Sequence, residues 1–93
     1  MVTLKDKVSV VKDVLASEVE DELVLLNQET GKYFTLDATG TRMWELIVQN
    51  GQLEQVKQAM LAEYDVEPEQ LEQDLLKLVD KLVANALLQI DAA

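Results

Sequence analysis

The side chains available for chemistry in this chain are carboxylates, hydroxyls, amides and amines, because its 93 residues include neither cysteine nor histidine. That removes disulfides, thiol nucleophiles and thiolate metal sites, together with the usual proton shuttle and the commonest metal ligand. An enzyme built here would have to draw on Asp, Glu, Ser, Thr, Tyr and Lys, for instance Asp65 and Glu67 around a bound metal. Carboxylate pairs of that kind recur at helix starts for reasons of charge alone. No catalytic residue, metal ligand or cofactor is therefore assigned, and function is sought in a surface that binds.

Eighteen acidic residues against eight basic ones give a formal charge of −10. This repels phosphate backbones and anionic lipid, so neither nucleic acid nor membrane is an expected partner. The acids cluster, with Glu18, Glu20, Asp21 and Glu22 at one turn and Glu63, Asp65, Glu67, Glu69, Glu72 and Asp74 in a run free of lysine and arginine. Such a run is either a solvated face with favourable charge at a helix start or a docking rim for a basic partner. No apolar run approaches the ~18 residues of a membrane span. The start MVTLKDKVSV also lacks the basic-then-apolar order of a signal peptide. A soluble, cytoplasmic, monomeric protein is expected, folded as a single domain over residues 1–93 around one core.

The elements that must position a binding surface run as strands and then helices. Val14 to Val19 and Glu22 to Asn27 are rich in β-branched and aliphatic residues and are separated by Glu20 and Asp21 alone, a two-residue hairpin spacing. Gln28-Glu29-Thr30-Gly31 offers a turn ending in a glycine suited to a left-handed position. A third strand, Lys32 to Asp37, places Phe34 and Leu36 on the core face and Tyr33 and Thr35 on the other. Val8 to Val11 is a further short strand or an arm over the core.

Asp37 is placed to cap a first helix, Ala38 to Asn50, whose Met43, Trp44, Ile47 and Val48 recur at core spacing, with Trp44 as an anchor of the core. Asn50-Gly51 stops it. A second helix, Gln52 to Tyr64, carries Leu53, Val56, Met60 and Leu61 on one face. Pro68 opens a third helix that runs to Ala84, with Asn85 as a left-handed terminator. Its apolar face is broad. Leu71, Leu75, Leu78 and Leu82 form one seam and Leu76, Val79, Val83 and Leu87 an adjacent one, so it packs on several neighbours or leaves part of a seam open as a groove wall.

The expected fold is α+β and winged helix-turn-helix-like, an N-terminal three-stranded antiparallel sheet followed by a three-helix bundle. That layout suggests DNA, yet the second and third helices carry only Lys57, Lys77 and Lys81 among many acids, too few cations for a recognition helix. Lys32 to Asp37 is the candidate open edge, where an extended peptide gains ladder hydrogen bonds and side-chain pockets set its register. In this reading Tyr33 and Thr35 flank the incoming strand. Leu75, Leu78 and Leu82 offer apolar contact across a cleft, and Asp74, Lys77 and Lys81 select charges on the ligand.

The run LVLLNQETGKYFTLDATGTRMWEL resembles the PqqD-like family through Leu26-Asn27, Thr30-Gly31, Phe34-Thr35-Leu36-Asp37, Gly40 and Met43-Trp44-Glu45-Leu46. The downstream AEYDVEPEQLEQDLLKLVDKLVANALL is similar to the family's third-helix region, including an acidic residue at Asp74. The chain departs at Asp21, where many members carry a turn glycine, and at Ala86, where glycine often precedes the final aliphatic pair. The resemblance implies a non-catalytic recognition element for ribosomally made, modified peptides. Such an element binds a leader segment as an added strand against the third strand, in a cleft closed by the third helix, with Lys32, Tyr33, Phe34, Thr35 and Leu36 as its strand wall here. A free-standing domain of this kind is most similar to the small leader-recognition partner of split lasso-peptide systems, which hands the precursor to a leader peptidase. A chaperone presenting a precursor to the radical-SAM enzyme of pyrroloquinoline quinone biosynthesis, or a winged-helix DNA-binding regulator, is the alternative. A homodimer through the third-helix face is a milder one.

Overall fold

Alternating apolar residues between Glu22 and Leu36 build the sheet from which the rest of the molecule hangs. The structure, a computed structural model, describes residues 2–91. In chain order its elements are β1 (Val8–Val10), β2 (Val14–Val19), β3 (Glu22–Asn27), β4 (Tyr33–Leu36), α1 (Ala38–Gln49), α2 (Leu53–Glu63), α3 (Pro68–Ala84) and β5 (Leu88–Ile90). β2, β3 and β4 form an antiparallel sheet in that order, so β3 is central and β4 an edge. The register sets Leu23 opposite Leu36 and Leu25 opposite Phe34. Leu23, Leu25 and Leu36 are buried and Phe34 packs against them, as the two-residue period requires.

Two turns fix this register. Gly31 takes the left-handed conformation at φ 78°, and the buried Asn27 accepts through Oδ1 from the Glu29 and Thr30 N–H groups at 2.9 and 3.0 Å. In the β2–β3 hairpin the left-handed residue is Glu20, at φ 58°, rather than Asp21.

The helices bury one stripe each against the inner face of the sheet and one another. Met43, Trp44, Leu46 and Ile47 come from α1, Leu53, Val56 and Met60 from α2, and Leu71, Leu75, Val79 and Leu82 from α3. Full burial of such side chains is worth about 1.5–3 kcal/mol apiece, which makes this stripe the main cohesive contribution. Trp44 is the expected core anchor, whereas Val48 points outward and is exposed. The broad apolar face of α3 is divided between neighbours: its core seam takes Leu71, Leu75 and Leu82 from one expected row and Val79 from the other, leaving Leu76, Leu78 and Val83 partly covered.

The three-stranded sheet and three-helix bundle agree with the expected fold, and a second sheet is added. β1 pairs antiparallel with β5, Val8 opposite Ile90 and Val10 opposite Leu88, joining the two ends of the chain. Val8–Val10 is thus a strand, and its partner after α3 has no counterpart in the sequence reading. Two helix ends also differ from expectation. Asn50 is extended at φ −155°, and Gly51 serves close approach instead of helix termination, because a Cβ there would sit 1.9 Å from the Val8 carbonyl oxygen. At the end of α3 the left-handed residue is Ala86, at φ 57°, while Asn85 is not (φ −97°). The Leu87 N–H donates to the Leu82 carbonyl at 2.9 Å and the Ala86 N–H to that of Val83 at 3.1 Å. This is a Schellman closure, and it explains why glycine suits the position of Ala86.

Candidate functional site

The free edge of β4 has a definite polarity because antiparallel pairs alternate between hydrogen-bonded and open. The Asn27 N–H donates to the Lys32 carbonyl at 2.9 Å. In the same register Leu25 and Phe34, then Leu23 and Leu36, form the paired positions. The backbone groups of Tyr33 and Thr35 therefore point away from β3, toward the open side.

That open side is the wall of a groove of about 410 Å³ lined by Phe34, Thr35, Leu36, Asp37, Thr39, Gly40, Met43, Asp74 and Leu78. β4 supplies one wall, α3 the other through Asp74 and Leu78, and the first two turns of α1 close one end. Local sequence dictates this arrangement. Asp37 Oδ1 accepts from the Gly40 N–H at 2.8 Å, so the chain turns from strand to helix within one residue. At Gly40 a side chain would crowd Asp37 Oδ1 at 3.3 Å and Leu36 at 3.4 Å.

Apolar floor and acidic rim are separated in the groove. Leu36 and Met43 are buried, and Phe34 and Leu78 are half-buried. The Asp74 carboxylate accepts from Gln70 Nε2 at 2.9 Å. Neither Asp37 nor Asp74 joins an ion pair; among the described residues those are Arg42 with Glu45 and Glu63, and Lys57 with Glu72. The Arg42–Glu63 pair straps α1 to α2 and the Lys57–Glu72 pair straps α2 to α3. The hydrogen bond from Arg42 holds the Glu63 carboxyl below its ordinary value, and Glu63 in turn raises the Arg42 guanidinium. The hydrogen bond to Glu72 likewise raises the Lys57 ammonium.

Of the residues singled out in the sequence, Phe34, Thr35, Leu36, Asp74 and Leu78 meet in this groove. Lys32 adjoins the start of β4, and Tyr33 projects from the outer sheet face with 68% exposure. There it completes a row across the sheet with Leu26 and Leu15. Leu75 and Leu82 are fully buried core residues, so they support the α3 wall and do not offer a surface. Lys77 and Lys81 line a separate depression with Val2, Gln73, Leu76 and Asp80, although Lys81 shares the helical stripe of Asp74 and Leu78. Asp37 closes the anticipated edge, whereas Thr39, Gly40 and Met43 were not anticipated as groove residues. The cap at Asp37 was the signal available for them, since a helix starting directly at a strand end must bring its first turns beside that strand.

A larger groove, about 510 Å³, lies between β1 and the end of α1, and contains none of the residues that the sequence singled out for peptide binding. Among the described residues no group of three or more acidic side chains is placed to hold a metal ion, and no helix is long and apolar enough to cross a membrane.

Comparison with known proteins bears on this geometry. A solved structure of TbiB1 in complex with the TbiA(beta) leader peptide is 35% identical, with a TM-score of 0.81 over 91% of this chain and 99% of that one. A lasso peptide synthetase B1 complexed with its leader peptide is 23% identical, with a TM-score of 0.73 over 89% of this chain and 98% of that one, a likeness of fold. No curated protein sequence matches. The family model described as coenzyme PQQ synthesis protein D (PqqD) matches residues 22–88. With most of its length covered by that model, the chain belongs to the PqqD family.

Proposed function

We propose that the protein binds the leader segment of a ribosomally synthesised precursor peptide, as a strand added to β4 in the groove walled by α3, and delivers it to a separate enzyme without performing chemistry itself. The observation that carries this reading is the unpaired edge of β4, whose outward backbone groups at Tyr33 and Thr35 border a groove with an apolar floor. The 35% identical TbiB1, solved with a leader peptide, supports it. In this proposal the precursor is of the lasso type, the class named for the fold neighbour lasso peptide synthetase B1, and the receiving enzyme is a leader peptidase and not a radical-SAM enzyme.

Magnitudes divide the work between backbone and side chains. Two N–H and two C=O groups, each gaining about 1 kcal/mol net, contribute ~4 kcal/mol. A micromolar complex needs about 8 kcal/mol. The remainder must come from leader side chains buried on Phe34, Leu36, Met43 and Leu78, with Asp37 and Asp74 at the rim and Lys32 and Lys81 at the margins discriminating among charges. The affinity itself is tested by calorimetric titration of the purified protein with the synthetic TbiA(beta) leader peptide. Saturable one-to-one binding at micromolar concentrations is expected, and absence of heat at high micromolar peptide would remove the reading.

A further inference from the structure

Asn27 is the only buried polar side chain among the described residues, at 3% exposure, and it lines neither of the two grooves described above. All its polar groups are engaged. Its N–H donates to the Lys32 carbonyl at 2.9 Å and its carbonyl accepts from the Gly31 N–H at 2.8 Å. Its side-chain Oδ1 holds the Glu29 and Thr30 N–H groups. The remaining group, Nδ2, donates to the Ala86 carbonyl at 2.7 Å, across 59 residues of sequence.

That last contact has a specific location. Asn27 faces Lys32 at the start of β4, and Ala86 is the left-handed residue of the α3 closure. The link thus joins the end of β3, at the turn that leads into β4, to the end of α3, and β4 and α3 are the walls of the groove that opens farther along, between Phe34–Asp37 and Asp74–Leu78. Among the described residues this is the only hydrogen bond between the three-stranded sheet with its turns and the α3–β5 segment. A buried amide bonded at both ends strongly resists displacement, because losing either partner leaves a desolvated polar group unpaired.

We infer that Asn27 is a positioning residue for the peptide site: its bond to Ala86 sets the spacing between the β4 edge and α3, and so the groove's affinity, without touching the ligand. This rests on the leader-binding reading above. Cutting the link lets the end of α3 drift from β4, so an inserted strand can no longer satisfy the edge and the α3 wall together.

The test uses Asn27→Ala and the milder Asn27→Ser, titrated with the synthetic TbiA(beta) leader peptide. Serine retains an acceptor for the Glu29 and Thr30 N–H groups but is too short to reach Ala86, which separates the turn from the link. Val56→Ala, in the core at α2, serves as the control for lost stability alone. We expect Asn27→Ser, folded by amide NMR, to bind at least tenfold more weakly through faster dissociation, and Val56→Ala to bind within twofold of wild type. Binding within twofold by Asn27→Ser would overturn the positioning role while leaving the leader-binding reading intact. Equal weakening in Val56→Ala would overturn it too, by making general stability the cause. Failure of the wild-type protein to bind would overturn the leader-binding reading and this inference together.

Discussion

Asp37 Oδ1 accepts the Gly40 N–H at 2.8 Å, so the residue that ends the free strand also opens α1 and forms part of the groove rim. Two roles in one carboxylate are separable. Asp37→Ala removes the cap and should cost ~1 kcal/mol of stability in urea unfolding, while Asp37→Asn, which still caps, should cost well under that. If the negative charge also acts on the leader, Asp37→Asn will weaken peptide binding while keeping near-wild-type stability.

Charge selection along α3 is tested by reversal. Asp74→Lys should weaken leader binding by ~1 kcal/mol or more if its side chain meets the leader in a partly desolvated groove, and Lys81→Glu should do the same. Asp74 lines the groove whereas Lys81 lies on its margin, so the effect at Asp74 should be the larger by calorimetry. Unchanged affinity removes that residue from the site.

Ala86 occupies the left-handed region at φ 57°, where a Cβ is strained and glycine is not. Ala86→Gly should therefore stabilise the fold by about 0.5–1 kcal/mol in urea unfolding, its relief of native strain exceeding the entropy that glycine restores to the unfolded chain. Since the Ala86 carbonyl still accepts from Asn27, leader affinity should be unchanged.

Acid sensitivity has a defined sign. Glu63 titrates below its ordinary value of 4.5 in the folded state, because Arg42 bonds the charged form. That stabilisation is present above the unfolded value and is lost as pH falls through the lowered one. Lys57, raised above 10.5 by Glu72, contributes fully below that value and loses its contribution only as pH climbs through the raised one. Both contributions are small and salt-screened at these exposed positions. Thermal melts should thus show a Tm gap between wild type and Arg42→Ala that is constant near neutrality and closes as pH drops below about 4.

The periodic parts of the molecule were legible in its sequence, and the parts set by tertiary neighbours were not. Two-residue alternation placed Phe34 and Leu36 inward, and the Asp37 cap fixed the start of α1. On α3 the period gives a broad apolar face without saying which residues other elements cover. Leu75 and Leu82 therefore looked available, yet they are buried, while Leu78 lies half open beside Asp74. β5 is three residues long and pairs with a strand some eighty positions earlier, so no local signal announces it. Gly51 read as a helix stop because nothing local reveals the Val8 backbone pressed against it.

The central claim is that a peptide strand pairs with the β4 edge opposite α3, and amide NMR during titration with the synthetic TbiA(beta) leader peptide tests it most directly. The account predicts that shifts concentrate on residues 32–37 and on α3 around Asp74 and Leu78, and that the Tyr33 and Thr35 amides gain protection from hydrogen exchange. Saturable binding whose shifts fall elsewhere, with the Tyr33 and Thr35 amides exchanging as before, would contradict it.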